Sequence, residues 1–504
     1  MRFVWALVCL SVVMPALVEA DAPLPKNNPL AEYDLAWTER IAWDEVVNIH
    51  DFDGADWHAR LDAAQDALME RGGGVVYFPA GVYRFEADIA LGDGIVLRGE
   101  TPALRAKDDG FALRTRIVFP TYQPTFTGEG TPVETAFKHI TLKDAARASQ
   151  CGLAFLSIEF GAVYFPEGAG HEVGRDRFVY GCRLVAAARA IPSVPQDWQH
   201  AWQRFTHRHR AAIQVYTQEN ALVANNRLAN SQAHNFTMPG YRIKNRQGEI
   251  VEQDQITFDY DNRPGIVVNG FAIGAAGGNP PDGTPDTHPH GFREGIEIRD
   301  NRIFSTGGYG ILFTGLGTLC ADNVIRFAPN VRRYTVTGEQ YSSGSSTNGN
   351  RAVEMRGWGY TVAGNDYEVY SNIAADGNYR INDGEGLMHE DHVNSIVKDS
   401  QIVNNTGNTY ISIYKTGGID GLLVKGNRID SRIFVVANRN SGPHACRNVR
   451  IVENTTPRIQ IAGDPAENNL LRDNRNPLEE LGGIVNHAAA AAQGNEGYQV
   501  VSGR

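Results

Sequence analysis

The chain has 504 residues, of which 42% are hydrophobic and 21% charged, a composition that excludes an intrinsically disordered protein. Its formal net charge of -11 at pH 7 argues against nucleic acid as a partner. After the first twenty residues no segment is long and apolar enough to span a membrane, so we expect no membrane partner.

The chain opens with a basic Arg2, a short apolar run and a small residue, Ala20, before Asp21. This order of features is typical of a secretory signal peptide cleaved near Ala20. The apolar run is short for the alternative, a membrane anchor. The sequence therefore predicts a signal peptide over residues 1–20 and a secreted or periplasmic protein.

Four cysteines follow the predicted signal peptide, and none belongs to a CxxC pair. Their spacing favours neither a zinc site nor thioredoxin chemistry, and it cannot assign disulfides. We expect solitary buried thiols at Cys151, Cys182, Cys320 and Cys446.

A helix is predicted ahead of the first strands, where Trp57, Leu61, Ala64 and Leu68 follow helical spacing. It should end at the glycines of RGGGVVYFPAGVYRF, residues 71–85. An open solenoid end exposes strand edges and core, so this helix is expected to cap it.

Two kinds of short segment recur along the rest of the chain. One carries an Asn turn between apolar residues, as in IRDNRIFST, CADNVIRFA and VKGNRIDSR, at intervals of 20–27 residues. The other alternates apolar and polar residues, as in YGILFTG, RAVEMRGWG and TYISIYKTGG. Short strands at such a period indicate a solenoid. Asn suits its turns because it tolerates the left-handed conformation and can bond its neighbours in the stack. The fold class is thus all-β, a right-handed parallel β-helix with three strands per coil.

The stretch GGGVVYFPAGVYRF followed by IVLRGE resembles the opening of the pectate-lyase-like β-helix superfamily. That group includes polysaccharide lyases, polygalacturonase-related hydrolases, uronan epimerases and phage tailspikes. The resemblance covers roughly residues 45–475 and implies the fold more specifically than the reaction.

Irregular segments interrupt or follow the repeat within a predicted catalytic domain of residues 21–477. Residues 238–294 and 328–350 are rich in Gly, Pro and Ser and are predicted to be long loops that leave the coil. Such loops either wall a binding groove or form surface excursions. Residues 478–504, with HAAAAAQGNEG, are predicted to be a flexible tail.

Aligning the alternating segments separates two faces of one sheet. Ile311 and Phe313, Val353 and Met355, Leu387 and His389, and Ile411 and Ile413 should point inward. The outward column is then Thr314, Arg356, Glu390 and Tyr414. A register slipped by one residue would bury an ionised Glu390, which costs more than burying a neutral His, so Glu390 and His392 are placed outward.

This alignment predicts a polar patch, which we call the predicted patch, where most solenoids carry Ser, Thr, Asn or Lys. Its catalytic candidates are Glu354, Arg356, Glu390, His392, Tyr414 and Lys415. Trp358 suits stacking on a sugar ring, and Asp391 is a further candidate for substrate binding. The alternative is a solvated charge ladder without a ligand.

No certain cofactor is predicted. On a strand only two of the four side chains of HEDH, residues 389–392, converge on each face, fewer than a tight metal site needs. Calcium ligated by Glu354, Glu390 and an Asn or Asp stays open. RFTHRHR, residues 204–210, adds Arg208 and Arg210 as candidates for binding an anionic glycan, or as a solvated basic loop.

Three classes of function fit the predicted patch. The favoured one is a polysaccharide lyase, with Arg356, Lys415 or His392 as base or charge neutraliser and Tyr414 as acid. An inverting glycoside hydrolase would use Glu354 and Glu390, about 8 Å apart between backbones. A non-catalytic glycan-binding solenoid is the third.

A narrower resemblance bears on the reaction. VEMRGWG, followed one coil later by HEDH, resembles the corresponding segments of inulin fructotransferases. This resemblance implies that Glu354 and Glu390 are the matching carboxylates. In every enzymatic case the expected partner is a polysaccharide, and nothing in the sequence selects an oligomeric state.

Overall fold

The structure is a computed structural model. It describes residues 23–120, 138–168, 172–185, 212–229, 294–305, 309–327, 351–369, 396–407, 410–413, 418–439 and 442–502, together with short strands between these ranges that are given below.

Three long parallel sheets stack along the molecule, and the chain visits them in turn. The strands of sheet B end at Arg428–Ile429, and isolated bridges through Thr455, Arg475 and Glu496 continue its line. Sheet A contains Val46–Asn48, Gly74–Tyr77, Ile95–Arg98, Gly152–Ala154, Arg177–Tyr180, Ala221–Ala224, Ile296–Arg299, Leu319–Ala321, Thr361–Ala363, Ile396–Val403, Gly418–Lys425, Cys446–Val452, Leu470–Arg472 and Ala491–Gln493, with Ala466–Glu467 beside Cys446–Val452. Sheet B contains Gly81–Arg84, Thr115–Val118, Ser157–Glu159, Arg183–Val185, Arg227–Ala229, Arg302–Ser305, Val324–Phe327, Asp366–Val369, Thr406–Gly407 and Arg428–Ile429.

Sheet C contains Ile89–Leu91, Lys138–Leu142, Gly161–Phe165, Ile213–Tyr216, Ile266–Asn269, Tyr309–Leu316, Arg351–Trp358, Gly386–His389, Tyr410–Ile413, Arg432–Val436, Arg458–Ala462, Gly482–His487 and Tyr498–Ser502. Parallel strands that return to the same sheet after each coil form a right-handed parallel β-helix. The predicted fold class is confirmed. The alternating segments singled out in the sequence are the strands of sheet C.

The interior of the coils is one continuous apolar core. Ile, Val, Leu and Phe side chains from all three sheets stack in it, including Ile311, Phe313, Val353, Met355 and Ile411, each with no exposed surface. The inward positions predicted for these strands are confirmed for the side chains that the structure describes. The alternation of apolar and polar residues fixes which face of the sheet each side chain takes, because a register shift of one residue would move every side chain to the opposite face.

The predicted capping helix spans Trp57–Met69. The Asp56 side chain caps its N-terminus by accepting a hydrogen bond from the amide of Ala59 at 2.9 Å. On its buried face Gln65 donates to the carbonyl of Ala90 at 3.2 Å and accepts from the amide of Gly92 at 2.8 Å. The helix therefore covers the core and also bonds the backbone at the first strand of sheet C.

The N-terminal segment lies over the outer face of sheet A. It contains the 3₁₀ turns Ala31–Tyr33 and Ala36–Arg40, and Ile49–Asp51 forms another one after the first strand. The Trp43 ring packs 5.7 Å from that of Phe178. Buried Arg98 donates to the carbonyl of Asn27 at 2.7 Å. This cover closes the first half of the outer face of sheet A to a ligand.

An asparagine ladder joins the coils at the turn between sheets A and B. Each ladder Asn donates from Nδ2 to the Oδ1 of the next, as Asn323 does to Asn365 and Asn365 to Asn405, both at 2.9 Å. The ladder consists of Asn226, Asn301, Asn323, Asn365, Asn405, Asn427, Asn454, Asn474 and Asn495. The predicted bonding within the stack is confirmed. The left-handed conformation instead falls one residue earlier, as at Asp322 with φ of 56°.

Substituting one ladder residue should weaken the fold. Asn365→Ala removes the bonds to the Cys320 carbonyl and Asn405, and it leaves two buried donors of Asn323 unpaired. We expect a loss of about 2–4 kcal/mol in the free energy of unfolding, measured by urea unfolding followed by circular dichroism. The half-buried last rung is the control. Asn495→Ala should cost under about 1 kcal/mol because water replaces its partners; an equal loss in both variants would contradict the ladder's role.

The predicted flexible tail over residues 478–504 is wrong for residues 478–502. Gly482–His487 and Tyr498–Ser502 extend sheet C, and Ala491–Gln493 extends sheet A. The alanine run misled the prediction because small residues carry no strand signal, yet Ala488 and Ala490 are buried in the last coil. A cis peptide bond joins Asp464 and Pro465 in the coil before it.

The two predicted loop insertions are only partly outside the coil. Ile266–Asn269, within residues 238–294, is a strand of sheet C that pairs with Ile213–Tyr216 and Tyr309–Leu316. A four-stranded antiparallel sheet joins the two insertions through its members Ile243–Lys244, Ile250–Val251, Arg333–Val336 and Glu339–Ser342. Three two-residue pairings complete the strands: His234–Asn235 with Thr257–Phe258, Asn372–Ile373 with Tyr379–Arg380, and Asn438–Arg439 with Gly442–Pro443.

The predicted solitary thiols are confirmed, since Cys151, Cys182, Cys320 and Cys446 are free and buried. Burial raises the pKa of Cys151 to about 12, so this thiol stays protonated at neutral pH. Among the described residues no helix has both the length and the apolar character needed to cross a membrane.

Candidate functional site

The described strands of sheet C pair in the register that the sequence indicated. Glu354 lies opposite Leu312 on one side and Met388 on the other, and Arg356 lies opposite Thr314. Met388 in turn lies opposite Ser412. The backbone thus places the positions of Glu354 and Arg356 on the face away from buried Val353 and Met355.

Most of the remaining candidates fall outside the described residues. These are Arg208, Arg210, Glu390, Asp391, His392, Tyr414 and Lys415. Their roles, and the vertical alignment of Arg356 with Glu390 and Tyr414, stay predictions.

Two outward positions are less exposed than an open sheet face would leave them. Thr314 is 7% exposed and Ser412 is 5% exposed. Both are small side chains, and Ser412 lies beside the larger Phe434 in the next coil. Ser412 is therefore recessed beside a larger neighbour on this face.

Trp358 ends its strand of sheet C at the corner that leads to sheet A. Its ring is half-buried, and the ammonium of Lys398 lies 5.1 Å from the ring centroid. The indole Nε1 is buried and has no hydrogen-bond partner among the described residues. The Lys398 ammonium thus occupies one face of the Trp358 ring, so the predicted stacking on a sugar would use the opposite face.

A group of arginine and aromatic side chains continues this outer face, and we call it the cationic cluster. It consists of Tyr410, Arg432, Phe434 and Arg458. The Arg432 guanidinium lies 5.3 Å from the ring centroid of Tyr410 and 5.9 Å from that of Phe434. Arg458 lies directly opposite Arg432 on the next strand.

The charge of the cationic cluster has no acidic counterpart in the part of the chain that the structure describes. Neither Arg432 nor Arg458 forms an ion pair with a described carboxylate, and the buried Nε of Arg432 lacks a hydrogen-bond partner there. Two neighbouring guanidinium groups repel each other across a parallel pair. An anionic ligand would relieve that repulsion.

The N-terminal part of the same face carries a second aromatic row. The His139 and Tyr164 rings are 6.1 Å apart, and the Tyr164 and Tyr216 rings are 6.5 Å apart. Gln214 donates from Nε2 to the Tyr216 hydroxyl at 3.2 Å. Half-buried aromatic and amide groups are the side chains that line sugar-binding surfaces.

Sequence reasoning missed the cationic cluster although its signal was present. RIFVVANR, residues 432–439, and RIQIAGD, residues 458–464, also alternate apolar and other residues, and Ile433, Val435 and Ile459 are buried, which leaves the alternate positions on the outer face. Those alternate positions are Arg432, Phe434 and Arg458. Extending the alternation to every strand of sheet C would have found them.

The described residues contain no group of side chains that could bind the calcium ion considered from the sequence. Among them no three His, Cys, Asp or Glu side chains converge as ligands for a metal ion. Glu390, one of the proposed calcium ligands, lies outside the described residues.

Comparison of the sequence with known protein families gave no match, and comparison with curated proteins gave none either. The chain is similar in structure to PfbA, a surface adhesin of Streptococcus pneumoniae, with 14% identity, a TM-score of 0.42 and coverage of 90% of this chain and 94% of that one. It is also similar to the catalytic unit of a thermostable GH87 α-1,3-glucanase from Streptomyces thermodiastaticus, with 13% identity, a TM-score of 0.44 and coverage of 91% and 70%. A third similarity is to the A-module of the mannuronan C-5 epimerase AlgE6 from Azotobacter vinelandii, with 13% identity, a TM-score of 0.33 and coverage of 91% and 99%.

Proposed function

We propose that this protein is a secreted enzyme that cleaves an acidic polysaccharide by β-elimination on the outer face of sheet C. The observation that carries the proposal is the cationic cluster, where Arg432 and Arg458 stack in register beside aromatic rings without a described acidic partner. Paired guanidinium groups bind carboxylates, and the half-buried Phe434 ring beside them can stack on a sugar, whereas Tyr410 is buried beneath Arg432.

The cluster lies in line with the positions predicted to carry the chemistry. Phe434 and Glu354 belong to one column, separated by the rungs of Met388 and Ser412. Three steps of the sheet place them on the order of 14 Å apart. A chain of a few sugar units spans that distance, so one substrate can occupy both places.

β-Elimination at a uronate needs three groups. A base removes the proton at C5, the C4–O bond breaks as a C4–C5 double bond forms, and an acid protonates the leaving oxygen. Arg356, His392 or Lys415 supplies the base or the charge that stabilises the developing enolate, and Tyr414 supplies the acid. Arg432 and Arg458 hold the carboxylate of a neighbouring sugar.

The function is tested by incubating the protein with a panel of acidic and neutral polysaccharides. The ultraviolet absorbance of unsaturated uronates and the reducing ends are read in the same samples. We expect both signals to rise together on at least one polyuronate. Reducing ends without unsaturation would identify a hydrolase, for which the inverting pair Glu354 and Glu390 is the predicted machinery. Binding without either product would identify a non-catalytic glycan-binding solenoid.

Substitution in the cationic cluster should affect binding more than turnover. Arg432→Gln removes one charge from the subsite, and we expect KM for a polyuronate to rise about tenfold with kcat changed less than about twofold. The control is Arg475→Gln, at an exposed arginine that directly follows Asn474 of the asparagine ladder and lies outside sheet C. It should leave both constants unchanged. A fall in kcat with KM unchanged would contradict a role in substrate binding.

A further inference from the structure

A column of arginines crosses the outer face of sheet B, a different sheet from the one that carries the site described above. Arg183, Arg227 and Arg302 lie directly opposite one another on three successive strands. Successive rungs are about 4.8 Å apart, so three like charges are stacked along one line. Like charges directly opposite on neighbouring strands are destabilising.

The column is only weakly neutralised by the protein. Arg227 donates to the backbone carbonyls of Ala106 and Asp108 at 2.9 and 2.8 Å, which are uncharged acceptors. Arg302 pairs at 3.2 Å with Asp109, whose side chain is 98% exposed, and such a pair contributes little. Burial lowers the pKa of Arg227, and the charge of Arg302 lowers it further. The protein thus holds these guanidinium groups against their mutual repulsion.

Arg183 has no such anchor. Its half-buried side chain forms no hydrogen bond or ion pair with a described residue. Ser157 lies directly opposite it on the preceding strand, with a hydroxyl that is buried, 1% exposed and without a hydrogen-bond partner among the described residues. Arg116, on the far side of Ser157, is held by Glu159 at 2.8 and 2.9 Å. The first rungs therefore present a guanidinium and a neighbouring hydroxyl that both lack a partner in the described part of the chain.

We propose that Arg183, Arg227 and Arg302 form a second anion-binding site, which takes the carboxylate or sulfate groups of an acidic glycan. Guanidinium groups have five donors each, and Arg227 uses two of them on the loop, so donors remain for an anion. A linear glycan with one charge per sugar can engage several rungs, whereas a small anion reaches one or two.

The net charge of the chain favours a glycan over nucleic acid in this site. At a formal charge of -11, long-range repulsion opposes a densely charged nucleic acid more than a glycan with one charge per sugar. The site is separate from sheet C, and its existence does not require that the protein be a lyase. A glycan bound at this site would stay attached to the protein at a place away from the bond that reacts.

Calorimetric binding is the test, with the full chain carrying Arg356→Ala so that any cleavage of the probes is slowed about a hundredfold or more. The probes are a polygalacturonate oligomer, a sulfated oligosaccharide of equal length and a single-stranded oligonucleotide of equal charge. The variant is Arg183→Gln, and the matched control is Arg428→Gln, an exposed arginine at the far end of the same column beyond Thr406. We expect Arg183→Gln to weaken one class of glycan sites about tenfold and Arg428→Gln to leave all sites unchanged.

Stability separates a binding role from a structural one. Arg183→Gln removes one like charge, so its unfolding temperature without ligand should equal or exceed that of the parent. A fall of several degrees would make Arg183 structural and overturn the proposal. Unchanged glycan binding in Arg183→Gln would also overturn it, and tighter binding of the oligonucleotide than of either glycan would overturn the choice of ligand. If the protein cleaves none of the polyuronates, this binding test still decides whether the second site exists.

Discussion

Replacing Arg177 with methionine is expected to lower the free energy of unfolding by about 3–5 kcal/mol. Its side chain has no exposed surface, and burial lowers its pKa to about 10, which leaves it charged at neutral pH. The guanidinium donates to four backbone carbonyls from three separate segments, at distances of 2.7–3.2 Å: Ala145, Ala148, Pro166 and Tyr216. Methionine fills much of the volume but supplies no donor, so four acceptors lose a partner in the interior.

The control for this substitution lies two residues away. Arg175 is exposed and pairs with Glu219 at 3.6 Å, a contact that contributes little in solvent. Arg175→Met should lower the free energy of unfolding by less than about 1 kcal/mol. The midpoint of urea unfolding measures both. Similar midpoints for the two variants would contradict the view that Arg177 ties three segments to sheet A.

Replacing Arg356 with alanine should reduce kcat on a polyuronate by about a hundredfold or more, because removal of a charge that stabilises the transition state costs about 2.7–4 kcal/mol in comparable sites. Glu354→Gln, at the adjacent outward position, tests whether a carboxylate is also required. Both positions lie on the outer face of sheet C, where side chains contribute little to the core. The unfolding temperature should therefore stay within a few degrees of the wild-type value, roughly what surface substitutions allow.

Arg450 is the matched control for the substitution of Arg356. It is an exposed arginine on the outer face of sheet A, opposite Leu423 and Leu470. Arg450→Ala should retain full activity and full stability. If Arg356→Ala keeps wild-type kcat, the outer face of sheet C is not the place where the chemistry occurs, whatever binds there.

The fold could be predicted because two periodic signals agreed. Alternation placed Val353 and Met355 inside, and the recurrent Asn marked where each coil turns. The capping helix was predictable for the same reason, since Leu61, Ala64 and Leu68 repeat at helical spacing and are all buried. Each signal rests on local sequence, and each was confirmed.

What could not be predicted depends on contacts between coils of unequal length. The column of Arg183, Arg227 and Arg302 is invisible in the sequence because the intervals between its members differ. Arg177 gives no local sign that its acceptors lie in three other segments. The last coil was missed for another reason: alanines such as Ala488 and Ala490 fill its core without a strand-forming side chain.

Hydrogen exchange of the Arg356→Ala protein, with and without a short oligouronate, tests the central claim most directly. We expect the sugar to slow exchange in the strands Arg432–Val436 and Arg458–Ala462 of sheet C and in Arg351–Trp358, where Glu354 lies. Exchange in the strands of sheet A should be unaffected. Slowed exchange confined to sheet A, or no change anywhere with every oligouronate tested, would contradict the assignment of the outer face of sheet C as the substrate site.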